Sequence, residues 1–343
     1  MAGLGTLPAW SENKQMLAFY SDETGVSLPA GSRFPAERFR LLREAVARGL
    51  PGVRLQSARA ATPAALCAAH DAGYVDAVLH GHLSAAEQRE IGFAQTAQTV
   101  LRARRSVGAT LQAMQAALRE GVAANLAGGS HHARAQGGAG YCVFNDVAVA
   151  ARWFQCAAGG RHRVAVIDLD VHQGNGTAAI FQGDASVFTL SIHGERNYPF
   201  RKEASCLDVE LPDGCGDADY LAALDDALAE LWRRTADEPP LLVFYLVGAD
   251  PHEGDRLGRL RLSAEGLAER DRRVFAAASE RRIPLVLTMA GGYGSDLEGM
   301  VRLQLETVGL ALAHWRRIQP GWDERPGMYA RVSLDGAIEG EPG

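Results

Sequence analysis

Long apolar runs are missing from this 343-residue chain. No stretch nears the 18 residues that a membrane-spanning helix needs, so no membrane partner is expected. Cysteine is sparse. Cys67, Cys142, Cys156, Cys206 and Cys215 include no CxxC pair and are odd in number. That excludes a disulfide frame and predicts a reduced, cytoplasmic protein with small buried thiols. A basic excess is absent too: 35 Lys and Arg against 41 Asp and Glu leave a net charge of −6. Nucleic acid is therefore a poor partner, because phosphate binding wants a basic face. A basic peptide stays open. The opening MAGLGTLPAWSENKQ lacks a basic segment followed by an apolar run, so no signal peptide is expected. Residues 1–15 read as an irregular leader.

No internal repeat and no Pro-, Gly- or Ser-rich linker divides the chain. With 47% apolar residues it can bury a large core as one domain, over 16–317. Residues 318–343 mix Pro, Gly and charge and read as an irregular tail. Short apolar runs recur at 16–20, 123–128, 164–169, 187–192, 241–247 and 284–290. They are too short for buried helices and barely alternate, which suits strands buried on both faces of a parallel sheet. Helical patterns lie between them. Val100, Val107, Leu111, Met114 and Leu118 share one helix face. Thr62-Pro63 predicts a capped helix start. Asp217 and Ser263 read as caps of helices reaching about 234 and 281, and 297–317 reads as a last long helix. Alternating strands and helices predict a three-layer α/β/α domain around a parallel sheet.

The chemistry sits where these runs end. The run at 164–169 passes directly into Asp168-Leu169-Asp170-Val171-His172-Gln173-Gly174-Asn175. Period 2 places Asp168, Asp170 and His172 on one face at the strand's carboxyl end, where α/β sheets gather ligands. Carboxylates crowded at the end of a buried strand repel each other unless a cation joins them. The next run ends in Gly248-Ala249-Asp250, followed by His252 and Asp255. Any of these three could complete a carboxylate–imidazole set with an open position, as catalytic zinc sites have. A third run leads to Gly128-Gly129-Ser130-His131-His132, whose paired histidines suit general acid/base work beside a metal-activated water. A fourth leads to Gly291-Gly292-Tyr293-Gly294, where Tyr293 is a plausible oxyanion donor, although Gly-Tyr-Gly is also ordinary loop chemistry. The polar loop 194–206 (GERNYPFRKEASC) follows a strand and suits substrate contact. His70, His80, His82, His162 and His314 have no partner pattern, and His193 reads as structural.

Taken in order, GGSHHA, GAGYCVFNDVAVAA, DLDVHQGNGT, LSIH, GADPHEGDRLG and GGYG resemble the histone deacetylase family, across roughly 16–317. Gln173 after the histidine, with FYSDETGVSLPAGSRFP near the start, resembles the class IV branch most. The resemblance implies the arginase–deacetylase fold. It implies zinc or iron(II) on Asp170, His172 and Asp250, and potassium near Asp168 and Ser191. It implies His132 as general base and then acid, His131 as its electrostatic helper, and Tyr293 polarising the amide carbonyl. Gly140 would accept a substrate N–H and Tyr141 would wall a channel for an acyl-lysine stem. The substrates implied are acyl-lysine proteins or peptides, or small acylated amines such as acetylpolyamines. A binder with a silent site and a two-manganese ureohydrolase on the same fold fit the motifs less well.

Three positions depart from the family pattern. Asn175 stands where many members place an aspartate behind the second histidine. The stretch 92–99 (GFAQTAQT) lacks the acid that grips a peptide backbone. Leu257 replaces the acidic gate of polyamine-selective relatives.

Overall fold

The computed structural model describes residues 14–26, 28, 31–322, 329 and 332–340. Most of the expected leader, residues 1–13, and part of the expected tail lie outside the described residues. The strands are β1 Met16–Tyr20, β2 Val53–Ser57, β3 Val122–Asn125, β4 Val164–Asp168, β5 Val187–Gly194, β6 Leu207–Leu211, β7 Leu242–Val247 and β8 Leu285–Met289. The helices are α1 Glu37–Gly49, α2 Pro63–Leu66, α3 Ala72–His80, α4 Ala85–Ile91, α5 Ala97–Glu120, α6 Asp146–Ala157, α7 Asn175–Phe181, α8 Asp217–Arg234, α9 Ala264–Glu280 and α10 Leu297–Ile318. All eight strands pair in parallel, in the order β2-β1-β3-β8-β7-β4-β5-β6.

Both faces of the central strands are apolar, and successive residues feed two different cores. Val164 and Val166 of β4, with Phe244 and Leu246 of β7, pack on the side of α5 and α6. Ala165, Ile167, Val243 and Tyr245 pack on the side of α8, α9 and α10. This is why those strands read as unbroken apolar runs rather than alternating ones. The long helix α5 begins at Thr96, whose hydroxyl accepts from Thr99 N (3.1 Å), and it buries Val107, Leu111, Met114 and Leu118. Ser263 caps α9 as expected, accepting from Gly266 N (3.0 Å).

The structure corrects several expectations. Two strands have no apolar signature. β2 (VRLQS) and β6 (LDVEL) lie at the sheet edges and are largely half-exposed, so polar residues fit them. Asp217 does not cap its own helix. Gly216 holds the cap position, and the Asp217 carboxylate instead accepts Ser263 N (2.8 Å) and Ser263 Oγ (2.6 Å), tying α8 to α9. The cysteines are all free, but Cys67, Cys156 and Cys206 are exposed rather than buried. Past 318, Val332, Leu334, Ala337 and Ile338 are buried against the α5 side of the core, and Thr62 N donates to Ala337 O (2.9 Å). No helix among the described residues is long and apolar enough to cross a membrane.

Candidate metal centre and active site

Four neighbouring strands, β3, β8, β7 and β4, send their following loops to one end of the sheet. Those loops carry HHA, GGYG, GAD and DVH. The sheet order therefore assembles motifs that the chain scatters over 160 residues or so.

Asp170, His172 and Asp250 meet there. All three are buried, and one candidate ligand atom from each lies within 4.8 Å of the others. The backbone reaches this point in an unexpected way. β4 ends at Asp168 rather than running on to His172. Asp168 Oδ1 accepts Asp170 N (3.2 Å), and Asp170 Oδ1 accepts His172 N (2.9 Å). Two successive carboxylate turns thus pull the chain out of the strand. Asp250 braces the turn from β7 through Oδ1, which accepts Val171 N (3.0 Å). Its other oxygen, Oδ2, is buried without a hydrogen-bond partner, 3.3 Å from His172 Nδ1. A buried carboxylate oxygen left unsatisfied is costly. A cation is the partner this donor set lacks, and two carboxylates with one imidazole fit a zinc-type ion with room for a further ligand.

The surroundings agree. A Cβ at Gly291 would collide with Oδ2 of both Asp250 and Asp170, so the chain passes here only as glycine, with its N–H donating to Asp170 Oδ2 (2.6 Å). The His172 pKa is raised because Asp170 and Asp250 outweigh the effect of burial. Burial first, then the charge of Asp170, raises that of Asp250. Asp170 is held low by His131 and His172 although burial alone would raise it. The rival ligands stand outside the cluster. His252 Nδ1 accepts Gly254 N (3.0 Å), and Asp255 is fully engaged with backbone.

The histidine pair is gripped from both ends. Gly128 and Gly129 turn the chain with φ of 84° and 63°. Buried Asp146 then accepts Ser130 N (2.8 Å), Gly129 N (3.2 Å) and Thr110 Oγ1 (2.6 Å). On the far side Asn145 Nδ2 donates to Ala133 O (3.1 Å). His131 Nδ1 lies 2.7 Å from Asp168 Oδ2. Burial pulls its pKa down, but Asp168 and Asp170 win and push it up to about 9. His132 Nδ1 lies 2.7 Å from Asn175 Oδ1. An amide oxygen can only accept, so Nδ1 carries the proton and Nε2 keeps its lone pair. Burial, reinforced by His131 and His172, holds the His132 pKa well below its ordinary value.

Tyr293 completes the group. Asp255 Oδ2 accepts Tyr293 N (2.5 Å) and Arg256 Nε donates to Tyr293 O (2.7 Å), so both flanking peptide groups are fixed by the loop that follows Asp250. The ring stands edge-on to His172 with centroids 6.1 Å apart. Burial and the charge of Asp170 raise its pKa well above 10, which keeps the hydroxyl a donor. These groups share a cavity with Phe34, Phe93 and Tyr141. Tyr141 takes a left-handed φ of 68°, a conformation that costs about 1–3 kcal/mol and tends to persist at functional sites. Its ring lies 5.2 Å from Phe34 and 5.6 Å from Phe93.

The remaining candidates fall in different places. Gly140 lines the cavity, and its carbonyl accepts Cys142 Sγ (3.5 Å). Asp168 and Ser191 are direct neighbours across β4 and β5, with Ser191 Oγ 2.9 Å from His193 Nδ1. Leu257 does not line the cavity; its carbonyl accepts Asn197 Nδ2 (2.8 Å). Three contributors were missed in the sequence. Arg38, buried at the cavity wall, donates to Gly292 O and Ala290 O (3.0 Å each); it stands three residues past the FYSDETGVSLPAGSRFP stretch, with no local signal of this contact. Asp146 lies within a motif but no sequence signal ties it to the His131 loop. Glu90 is an acid that the 92–99 window excluded by two residues; its carbonyl accepts Gly140 N (3.0 Å).

The fold and site together are a parallel α/β sheet with a buried Asp-His-Asp cluster at its carboxyl edge, a candidate metal centre. The model of the histone deacetylase domain matches residues 32–305, and the chain belongs to the histone deacetylase family. An uncharacterised protein of Picosynechococcus sp. is 38% identical over 284 residues, covering 82% of this chain and 93% of that protein. Histone deacetylase 2 of Arabidopsis thaliana is 38% identical over 193 residues, 55% of this chain and 49% of that one. Acetylpolyamine amidohydrolase of Burkholderia pseudomallei is 34% identical over 198 residues, 53% of this chain and 54% of that one. This chain thus spans about half the length of the latter two. Among solved structures, an HDAC homologue complexed with SAHA superposes with a TM-score of 0.73 at 23% identity, covering 96% of each chain. Acetylpolyamine aminohydrolase from Burkholderia pseudomallei gives 0.69 at 24% identity, covering 86% of this chain and 98% of that one. These two support the fold.

Proposed function

We propose that this protein is a zinc-dependent lysine deacylase that hydrolyses the amide bond of N6-acyl-lysine. The observation that carries the reading is the Asp170–His172–Asp250 cluster with its unsatisfied Asp250 oxygen, of which Asp170 and His172 line one cavity with His132 and Tyr293. Asp170, His172 and Asp250 would hold the ion, zinc or iron(II). When bound, such an ion supplies Lewis-acid polarisation of a carbonyl and makes a water nucleophilic near pH 7.

The chain's own groups supply the rest. His132 takes the proton of the attacking water at Nε2, its tautomer fixed by Asn175. The same nitrogen then delivers that proton to the departing amine. Tyr293 donates a hydrogen bond to the carbonyl oxygen as negative charge builds there. His131, held by Asp168, steadies charge beside His132. Tyr141, Phe34 and Phe93 line the cavity as an apolar wall for an acyl-lysine stem. The Gly140 carbonyl accepts a substrate N–H. Asp168 and Ser191 would hold a potassium ion, and the protein acts in the cytoplasm.

The amidohydrolase relative favours a second reading, hydrolysis of small acylated amines with the same groups. Leu257 offers no carboxylate to a distant ammonium, which ranks that reading lower. A panel of peptides bearing acetyl-, longer acyl- and fatty acyl-lysine, run beside acetylspermidine, decides. Deacylation of the peptides at the higher kcat/KM is expected. A clear preference for acetylspermidine would replace this reading with the second.

A further inference from the structure

Three large apolar side chains are exposed among the described residues, and two of them lie in one short stretch: Tyr198 at 37% and Phe200 at 86%. The Tyr198 ring stands edge-on to His132, with centroids 4.9 Å apart, so this stretch borders the active site. Phe200 is 6.5 Å beyond Tyr198, ring to ring, and does not line the cavity. A single exposed ring is ordinary on a protein surface; what sets Phe200 apart is its place beside Tyr198 at the edge of the cavity, on a loop that is held in position.

A loose loop would bury such a ring by folding over, but this loop is fastened on three sides. Gln173, next to a metal-ligand candidate, donates from Nε2 to Glu203 O (2.6 Å) and accepts Glu203 N (2.9 Å). Arg134 pairs with Glu203 (3.0 Å). Asn197 bridges to the loop after Asp250, donating to Leu257 O (2.8 Å) and accepting Arg259 N (3.2 Å). Inside the loop, Lys202 Nζ donates to the carbonyls of Pro199 (2.7 Å), Asn197 (2.8 Å) and Glu195 (3.2 Å). Phe200 is thus presented rather than merely exposed.

We infer that residues 196–202 form a fixed docking lip, and that Phe200 receives an apolar side chain adjacent to the acyl-lysine of a peptide substrate. This rests on the lysine deacylase reading and names its substrate as a peptide with an apolar flank. A ligand that fits within the cavity does not reach Phe200. The lip also carries exposed Arg201, which would repel the cationic tail of a polyamine, while exposed Arg196 lies 3.9 Å from the Asp213 carboxylate. Held apolar anchors contribute affinity at low ordering cost.

The test compares wild type with Phe200→Ala on two substrates, an acyl-lysine peptide flanked by leucine and the isolated acyl-lysine amide. The ratio of their kcat/KM values should fall about tenfold, the factor that corresponds to 1.4 kcal/mol. The fall should reside in KM and should shrink when the flanking leucine is replaced by serine. Fluorescence anisotropy of the labelled peptide should show the same loss of binding whether or not the peptide is turned over. Lys202→Met, which frees the lip, should move the ratio in the same direction. An unchanged ratio and unchanged anisotropy in Phe200→Ala would overturn the docking role. Loss of the deacylase reading would look different, as wild type that binds the peptide and cleaves neither substrate, with the Phe200 effect still visible in anisotropy.

Discussion

Asn175 sets the protonation of His132, the proposed general base. A carboxylate at that position would stabilise the imidazolium, whereas the amide offers one neutral acceptor at 2.7 Å. Burial and two neighbouring histidines already hold the His132 pKa well below 6.5. His132 therefore stays unprotonated and ready to accept at mildly acid pH. Replacing Asn175 by Asp should raise that pKa and move the acid limb of the kcat/KM–pH profile to higher pH; an unmoved limb would separate Asn175 from the base. Tyr293 is tested by removing one oxygen. Tyr293→Phe should keep metal content and fold yet lower kcat by about 10²–10³, the usual effect of losing one oxyanion donor. Turnover equal to wild type would take Tyr293 out of the reaction. At this scale the sequence was most informative where residue type is rare in context, as with Asp170, His172 and adjacent histidines. It was least informative for groups that act through backbone. Asp255 drew notice as a metal ligand because it is an acid near Asp250, but it holds Leu257, Gly258 and Tyr293 amides instead.

At the scale of elements, the central strands were legible because burial on both faces leaves continuous apolar runs. β2 and β6 were not, since an edge strand needs one partner and little burial. Nor could local pattern show that β4 ends at Asp168, because the turn beyond it is made by side-chain carboxylates rather than by Gly or Pro. Another long-range device lies beneath the site. Arg270 of α9 is buried, pairs with Asp271 (2.9 Å), and donates to Gly248 O (2.7 Å) at the end of β7. Asp271 also accepts from Tyr245 (2.6 Å) and Thr307 (2.6 Å), joining β7, α9 and α10. Arg270→Met leaves Asp271 charged and unpaired in the core, which should cost about 3–5 kcal/mol in urea unfolding. A loss below 1 kcal/mol would show that this network does not brace the strand carrying Asp250.

Across the whole molecule, three buried histidines away from the reacting groups tie stability to pH. Burial lowers the pKa of His70, His193 and His314 to about 4 each. Between pH 6.5 and about 4 the unfolded chain binds protons at these positions that the fold excludes. Their contribution is therefore complete above pH 6.5 and is lost as pH falls toward 4, by at most about 3 kcal/mol per group. The urea midpoint should drop steadily over that window, and a flat midpoint would contradict it.

The proposed amide hydrolysis depends on one ion held by Asp170, His172 and Asp250. The most direct measurement strips the protein with a chelator, titrates zinc back, and follows both bound metal and hydrolysis of an acyl-lysine peptide, beside Asp250→Ala. The predicted result is activity that vanishes on stripping, returns in proportion to zinc up to one ion per chain, and does not return in the variant. Activity indifferent to chelation, or restored only at two ions per chain, would contradict it.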